Sequence, residues 1–362
     1  MFRCFAYRLL SLLVLLSLIP CHASAIEVSA DSSILIEQRS GRVLYEHRAD
    51  EERLIASITK IMTAVTAVRY GTLGSCYTVT EEDMAEGSSM YLRVGETLTL
   101  EELLYGLLLS SGNDAALAIA HCVSGSVDTF VDRMNDFARE LGMTRSSFAN
   151  PNGLDAEGHY STAGDMAILT AYALTDPVFC RIVSTRSATV CGRSLTNHNR
   201  LLTICDGCIG VKTGYTKAAG RTLVSAVTRD GMTLIAVTLK DSNDWDDHVA
   251  LYEYGFSSYR LKTLARAGQK LACISLINGQ KHSVMLTLAE DLSYPVAEGE
   301  ALSLKICIPP FVNAPVTVGQ VLGTAYICLN GQDVASVDLV VMESVARSEE
   351  NMNKSFFYRL FH

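Results

Sequence analysis

The chain contains a serine and a lysine at a spacing that suits nucleophilic catalysis. In Ser57-Ile58-Thr59-Lys60 the two polar residues are three positions apart at the start of a helical pattern, which puts a hydroxyl and an amine on one face. A serine hydroxyl is a poor nucleophile until a base takes its proton. Lys60 can be that base only when neutral, and an apolar setting, the positive end of its helix and a second ammonium would each favour the neutral amine.

A second serine follows at domain-scale distance in Ser111-Gly112-Asn113. It is placed between two helical patterns, so its side chain could point into a cleft. In an acyl-transfer reaction Ser111 would pass a proton to the leaving amine, and Asn113 would hydrogen-bond the substrate amide. A helix end followed by a capping Asn would explain the same three residues, so this motif is weak on its own.

A second lysine stands in Lys212-Thr213-Gly214 on a predicted strand. An ammonium and a hydroxyl at a strand edge can bind a terminal carboxylate, and Gly214 would let an extended peptide lie close to the strand. The backbone N–H of Tyr215 would join that of Ser57 in stabilising an oxyanion. An ordinary strand end with a solvated lysine is the simpler interpretation of this motif alone, but three motifs in this order favour an enzyme.

The elements that must position these residues follow from hydrophobic periodicity. The pattern from Ser33 to Tyr45 predicts a hairpin, and a helix beginning at Ser57 follows it, with an apolar stripe that includes Ile61 and Val65. Thr99-Leu100-Glu101-Glu102 is a capping box that opens a second helix, and further helices are predicted from Asn113 and from Val127.

After residue 205 the spacing of the apolar residues changes to the two-residue alternation of strands. Ile209–Thr213 reads as one strand, and Thr222–Val227 and Met232–Leu239 form a hairpin around Asp230-Gly231. Strands at both ends of this region with helices between them predict an α+β catalytic domain over residues 26–258, with one antiparallel sheet flanked by helices.

The rest of the chain has a different pattern. Short strands separated by turn residues predict a small β-sandwich domain over residues 264–345. Residues 346–362 end in the aromatic-rich Ser355–His362, which would form either a short interfacial membrane helix or a frayed end.

The first residues predict export. Arg3 and Arg8 precede an apolar run and then Ala23-Ser24-Ala25, the pattern of a signal peptide cleaved after Ala25, and the run of about 11 residues is too short to span a bilayer. An uncleaved anchor or a lipoprotein through Cys21 fits less well. Cleavage leaves 28 basic and 39 acidic residues. A net charge of −11 argues against nucleic acid as a partner.

Cysteine usage does not predict a metal site. Nine cysteines remain in the mature chain, an odd number that cannot form a complete disulfide framework. Cys205 and Cys208 are the close pair, and no second such pair or paired histidines stand nearby, so structural thiols or one local disulfide are favoured. No cofactor and no metal are expected.

The three motifs and their surroundings resemble the D-alanyl-D-alanine carboxypeptidases, the low-molecular-mass penicillin-binding proteins. The likeness is strong over about residues 26 to 258 and looser in the β domain. Beyond the motifs, the segments that carry it are Glu86-Gly87-Ser88-Ser89-Met90-Tyr91-Leu92, Asn150-Pro151-Asn152-Gly153-Leu154-Asp155, Asn197-His198-Asn199-Arg200-Leu201-Leu202 and Gly210-Val211-Lys212-Thr213-Gly214-Tyr215-Thr216.

The resemblance implies a β-lactamase/transpeptidase-like catalytic domain. It also implies removal of the terminal D-Ala from peptidoglycan stem peptides through an acyl-enzyme on Ser57, acylation by β-lactam antibiotics, and a location outside the cytoplasm. The residues expected to act are Ser57, Lys60 and Ser111 in catalysis, with Asn113, Lys212, Thr213, Gly214 and Tyr215 in substrate binding. A D,D-endopeptidase of the same fold and a catalytically inactive penicillin-binding wall protein are the alternatives.

Two departures from the resemblance bear on activity. The middle motif is Ser-Gly-Asn, and no Glu-x-x-Leu-Asn stands between residues 114 and 211 to activate a deacylating water, so efficient penicillin hydrolysis is not expected. Some relatives place a carboxylate-binding Arg after the last strand of the catalytic domain. Here Asp241–His248 is acidic and contains no Arg, so carboxylate binding would rest on Lys212 and Thr213.

Overall fold

A computed structural model describes residues 26–348 of the protein. The predicted signal peptide, residues 1–25, and residues 349–362 of the predicted tail lie outside the described residues. The strands of the catalytic domain are β1 (Ser32–Glu37), β2 (Val43–His47), β3 (Cys76–Thr78), β4 (Thr97–Thr99), β5 (Ser187–Val190), β6 (Arg193–Thr196), β7 (Cys208–Thr216), β8 (Gly220–Arg229) and β9 (Met232–Leu239). The helices are α1 (Lys60–Tyr70), α2 (Leu100–Leu109), α3 (Asn113–Ser124), α4 (Val127–Glu140), α5 (Ala163–Ala173), α6 (Pro177–Val183), α7 (Leu201–Ile204) and α8 (Asp244–Ser258).

The catalytic domain is built on one antiparallel sheet in the order β2-β1-β9-β8-β7. The first strand of this domain therefore pairs with its last, and Ile34 lies opposite Val237. Alternate side chains along the strands point to opposite faces. Ile34 and Val237 face the core formed with the helices between β2 and β7, whereas Leu35 and Leu223 pack with the helix α8 on the other face. The sheet is thus covered on both sides, and β7 is its edge strand.

Local sequence signals explain where several helices begin. Thr99 and Glu102 form the predicted capping box at α2, with the Thr99 hydroxyl accepting from the backbone N–H of Glu102. The predicted helix beginning at Ser57 differs in detail. Ala56–Thr59 is a turn of 3₁₀ helix, and the α-helix starts only at Lys60. At the start of this turn Ala56 has a φ of 49°, in the left-handed region, immediately before Ser57.

The C-terminal domain is made of strands, as the sequence predicted. They are β10 (Tyr259–Ala265), β11 (Lys270–Ile277), β12 (Ser283–Leu288), β13 (Leu292–Ala297), β14 (Leu302–Cys307), β15 (Phe311–Asn313), β16 (Val321–Leu329) and β17 (Gln332–Val341). A sheet in the order β14-β16-β17-β12-β11-β15 packs with the β10-β13 pair around a common core. Because β10 pairs with β13, the strand structure begins at Tyr259, five residues before the predicted start at 264.

One arginine joins the two domains. The guanidinium of Arg42, in the hairpin of β1 and β2, forms an ion pair with Glu300 at 2.5 Å and donates to the Pro295 carbonyl oxygen at 2.6 Å. Its carbon Cζ lies 5.0 Å from the ring centre of Tyr259 and 5.4 Å from that of Tyr294. These contacts combine charge pairing with cation–π attraction, and they hold the catalytic sheet against the C-terminal domain.

Candidate active site

The amine of Lys60 is the centre of the site. Lys60 is fully buried at the start of α1, and its Nζ lies 3.0 Å from the Ser57 Oγ. The same nitrogen lies 2.8 Å from the Asn113 Oδ1 and 2.5 Å from the carbonyl oxygen of Asn152. A neutral amine has two N–H groups and one lone pair. If the two N–H groups are donated to Asn113 and Asn152, the lone pair is left for the Ser57 hydroxyl proton.

The surroundings favour the neutral form of that amine. Burial lowers the pKa of Lys60 well below its usual value, and the nearby ammonium of Lys212 lowers it further, against an opposing effect of Asp114. Uncharged Lys60 can accept a proton, so the pair has the arrangement of an activated nucleophile and its base.

Ser111 occupies a constrained position between α2 and α3. It is only 4% exposed, lines the same cleft as Ser57, and has a φ of 58°, a left-handed conformation that is uncommon outside glycine. The next two N–H groups hold this turn, since Gly112 donates to the Gly106 carbonyl and Asn113 to the Ser88 carbonyl. A serine in this strained conformation, fixed by the two residues that follow it and placed in a cleft, is typical of a functional position.

Both ends of the Asn113 side chain are engaged within the protein. Its Oδ1 accepts from Lys60, and its Nδ2 donates to the Glu86 carbonyl oxygen at 2.6 Å. Asn113 therefore orients the lysine and ties the 86–92 loop to α3. A contact with a substrate amide would use the second N–H of Nδ2.

The Lys212 motif lies on the edge strand β7. Lys212 is 1% exposed, its Nζ donates to the Thr213 carbonyl oxygen at 2.7 Å, and burial lowers its pKa to about 7. Thr213, Gly214 and Tyr215 line the cleft with Ser57. Gly214 is required by space, because a Cβ there would lie 2.4 Å from the Thr222 Oγ1 and 2.9 Å from the Ser57 nitrogen.

The cleft also contains residues that the sequence motifs did not identify. It has a volume of about 280 Å³ and is further lined by Ser88, His198, Arg221, Asp244 and Trp245. His198 belongs to the Asn197–Leu202 segment noted in the sequence, and the structure places it at the cleft. The sequence could have indicated Arg221, because the turn that joins β7 and β8 places it opposite Tyr215.

A second histidine, His159, has a structural role beside the site. The His159 Nε2 lies 2.8 Å from the Thr59 hydroxyl, and its Nδ1 accepts from the Ala149 N–H at 3.0 Å. Burial lowers the pKa of His159 to about 4, so the ring is neutral near pH 7. Gly153 packs against the same turn, where an added Cβ would meet the Ala56 carbonyl oxygen at 2.1 Å. The 150–159 loop thereby supports the backbone beside Ser57.

Residues 26–348 contain neither a candidate metal-binding cluster nor a single helix suited to span a membrane. Within them, no group of three or more His, Cys, Asp or Glu side chains is arranged to hold a metal ion. Cys205 and Cys208 are free thiols, as are the other cysteines of this range. In the same range no single helix has the length and hydropathy to cross a bilayer, and α5 with α6 meets those criteria only as a pair bent by 112°.

Comparison with protein families gives two matches. The family described as D-alanyl-D-alanine carboxypeptidase matches residues 20–243, which include the Ser57, Ser111 and Lys212 motifs. The family described as penicillin-binding protein 5, C-terminal domain, matches residues 259–347. That second match begins where β10 begins.

Individual proteins are similar over most of the chain. D-alanyl-D-alanine carboxypeptidase DacF of Bacillus subtilis is 34% identical over 345 residues, 91% of this chain and 87% of that protein. D-alanyl-D-alanine carboxypeptidase DacC of Escherichia coli is 34% identical, over 88% of this chain and 84% of its own. Among solved structures, penicillin binding protein 5 from Haemophilus influenzae superposes with a TM-score of 0.75 at 29% identity, covering 90% of this chain and all of that one.

Proposed function

The chain belongs to the D-alanyl-D-alanine carboxypeptidase family and is a serine carboxypeptidase of that type, and we propose that Ser57, Lys60 and Ser111 carry out its reaction on peptidoglycan stem peptides. The observation that carries this assignment is the Lys60 amine, buried and within 3.0 Å of the Ser57 hydroxyl. The family acts outside the cytoplasm and binds β-lactams.

Acylation begins with transfer of the Ser57 hydroxyl proton to neutral Lys60. The Ser57 Oγ attacks the carbonyl carbon of the penultimate D-Ala and forms a C–O bond. The negative charge that develops on the carbonyl oxygen is stabilised by the N–H groups of Ser57 and Tyr215. The C–N bond then breaks as Ser111 donates its hydroxyl proton to the amine of the departing D-Ala and takes up the proton held by Lys60, which returns to its neutral form.

Deacylation uses water in place of the amine. A water molecule loses a proton to the same base and attacks the ester carbon, and Ser57 regains its proton as the C–O bond breaks. A β-lactam follows the first half of this sequence, in which Ser57 opens the lactam ring. The opened ring stays attached, so the leaving amine remains at the site and obstructs the water.

The edge strand β7 supports binding of an extended peptide. Its outer side is free of a neighbouring strand within residues 26–348, so a stem peptide can add to the sheet through backbone hydrogen bonds. Thr213 and Lys212 would then face the terminal carboxylate, and Asn113 the amide on the acyl side.

A fluorescent penicillin tests the assignment together with release of D-Ala from an N-acylated L-Lys-D-Ala-D-Ala peptide. The wild-type protein should be labelled on Ser57 and should release D-Ala, whereas Ser57→Ala should do neither. A penicilloyl adduct on another residue would overturn the assignment. Labelling without D-Ala release would instead indicate a penicillin-binding protein without carboxypeptidase activity.

We further propose that the tail contributes peripheral contact with the outer face of the cytoplasmic membrane. The support is its composition, since Phe356, Phe357, Leu360 and Phe361 occur beside Lys354 and Arg359. A few apolar and basic residues bind a membrane weakly, so the contact would be reversible.

A further inference from the structure

Arg221 is a cation in the cleft to which the reaction described above assigns no role. It lies on β8 directly opposite Tyr215 of β7, and it lines the cleft together with Ser57 and Thr213. Its side chain is 45% exposed, so its guanidinium is open to a ligand in the cleft.

The guanidinium is held in place from two sides. Its Nη2 pairs with the Asp244 Oδ1 at 2.9 Å, and its Cζ lies 5.6 Å from the ring centre of Trp245. Asp244 is buried at the first turn of α8, where the helix dipole also stabilises its charge, and its Oδ1 accepts from the Trp245 N–H at 3.0 Å. Because the ion pair uses one Nη, the guanidinium retains other N–H donors for a second carboxylate.

A permanently charged group would add to what the two lysines near the cleft can offer a carboxylate. Lys60 must be neutral to act as a base, and burial weakens the ammonium form of Lys212 as well by lowering its pKa to about 7. Arginine stays charged throughout this range and can bind a carboxylate with two parallel N–H donors.

We propose that Arg221 binds the free α-carboxylate of the substrate's terminal D-Ala and thereby selects chain ends over internal peptide bonds. The inference rests on the proposed function and deepens it, because it names the residue that makes the enzyme a carboxypeptidase instead of an endopeptidase. Asp244 and Trp245 position Arg221 and do not contact the substrate carboxylate.

The test compares two peptides that differ only at the carboxylate. The N-acylated L-Lys-D-Ala-D-Ala peptide is used as the free acid and as the C-terminal amide, with wild type, Arg221→Gln and Arg200→Gln. Arg200 is the matched control, since its Cζ lies 5.9 Å from the ring centre of the same Trp245 but it is not among the described residues that line the cleft. Wild type should prefer the acid, and Arg221→Gln should lose roughly tenfold or more of kcat/KM on the acid, mainly through KM, with the amide little changed.

A binding measurement gives the same comparison without turnover. Trp245 is the single tryptophan of the sequence, so its fluorescence reports on the cleft. In a Ser57→Ala background the acid should bind more tightly than the amide, and adding Arg221→Gln should remove the difference, while Arg221→Lys should restore part of it.

The outcomes separate this inference from the proposed function. If the Arg221→Gln variant keeps the preference for the acid peptide, the inference is overturned. Equal losses of kcat/KM on the acid and the amide peptides would also overturn it, because they would indicate a merely structural role. A wild-type protein that releases no D-Ala and is not labelled by penicillin would overturn the proposed function itself.

Discussion

Asn113→Asp is the sharpest test of the neutral lysine. The substitution keeps the size of the side chain but places a carboxylate 2.8 Å from the Lys60 Nζ. A negative charge at this distance stabilises the ammonium form, which cannot accept the Ser57 proton. The variant should therefore need a higher pH than wild type to reach a given acylation rate.

The size of the effect follows from the distance. At an effective dielectric constant of about 20, two unit charges 2.8 Å apart attract by about 6 kcal/mol. If burial of the new carboxylate cancels about half of this, about 3 kcal/mol remains, which corresponds to about 100-fold fewer molecules with the neutral amine. On the acidic limb of the pH profile the acylation rate is proportional to the fraction of molecules with neutral Lys60. There the acylation rate of the variant should be about 100-fold lower than that of wild type.

The assay is the second-order rate of acylation by a fluorescent penicillin between pH 5 and 9. Asn113→Ala is the control, because it removes the same hydrogen bond from Lys60 without adding charge. The control should lower the rate by a similar factor at every pH, whereas Asn113→Asp should recover as the pH is raised. Superimposable pH profiles for Asn113→Asp and wild type would refute the argument that Lys60 acts as a neutral base.

Two further predictions concern stability and the tail. Burial lowers the pKa of His248 to about 3. Between pH 6.5 and 3 this imidazole is therefore protonated in the unfolded chain but not in the folded protein, so the free energy of unfolding falls as the pH is lowered. His248→Gln should reduce this dependence by up to about 1.4 kcal/mol per pH unit, measured by urea unfolding at pH 6 and 4.5, and equal slopes in the two proteins would contradict it. Removal of residues 350–362 should reduce co-sedimentation of the mature protein with anionic vesicles, and equal partitioning would show that the tail makes no membrane contact.

Much of the architecture could be predicted from local patterns. The capping box at Thr99 and the hairpin around Asp230-Gly231 are encoded in a few neighbouring residues, and both are present in the structure. The α+β domain followed by a β domain was likewise predictable, because helical and strand periodicities occupy separate stretches of the chain.

Other elements depended on distant partners. The strand β10 was missed because only the first half of Tyr259–Ala265 alternates clearly, and it is completed by pairing with β13 about 30 residues later. The 3₁₀ turn before α1 was also missed, since the 150–159 loop packs against that turn from across the domain.

For the site, the sequence alone determined which residues can do chemistry, because the order and internal spacing of the Ser57, Ser111 and Lys212 motifs are sequence properties. Tertiary structure decided how those groups are protonated and what surrounds them. The Asn152 carbonyl reaches Lys60 across 92 residues, and Asp244 reaches Arg221 only because α8 follows β9 in the folded sheet. Burial and distance set a pKa, and both arise only when separate segments of the chain pack together.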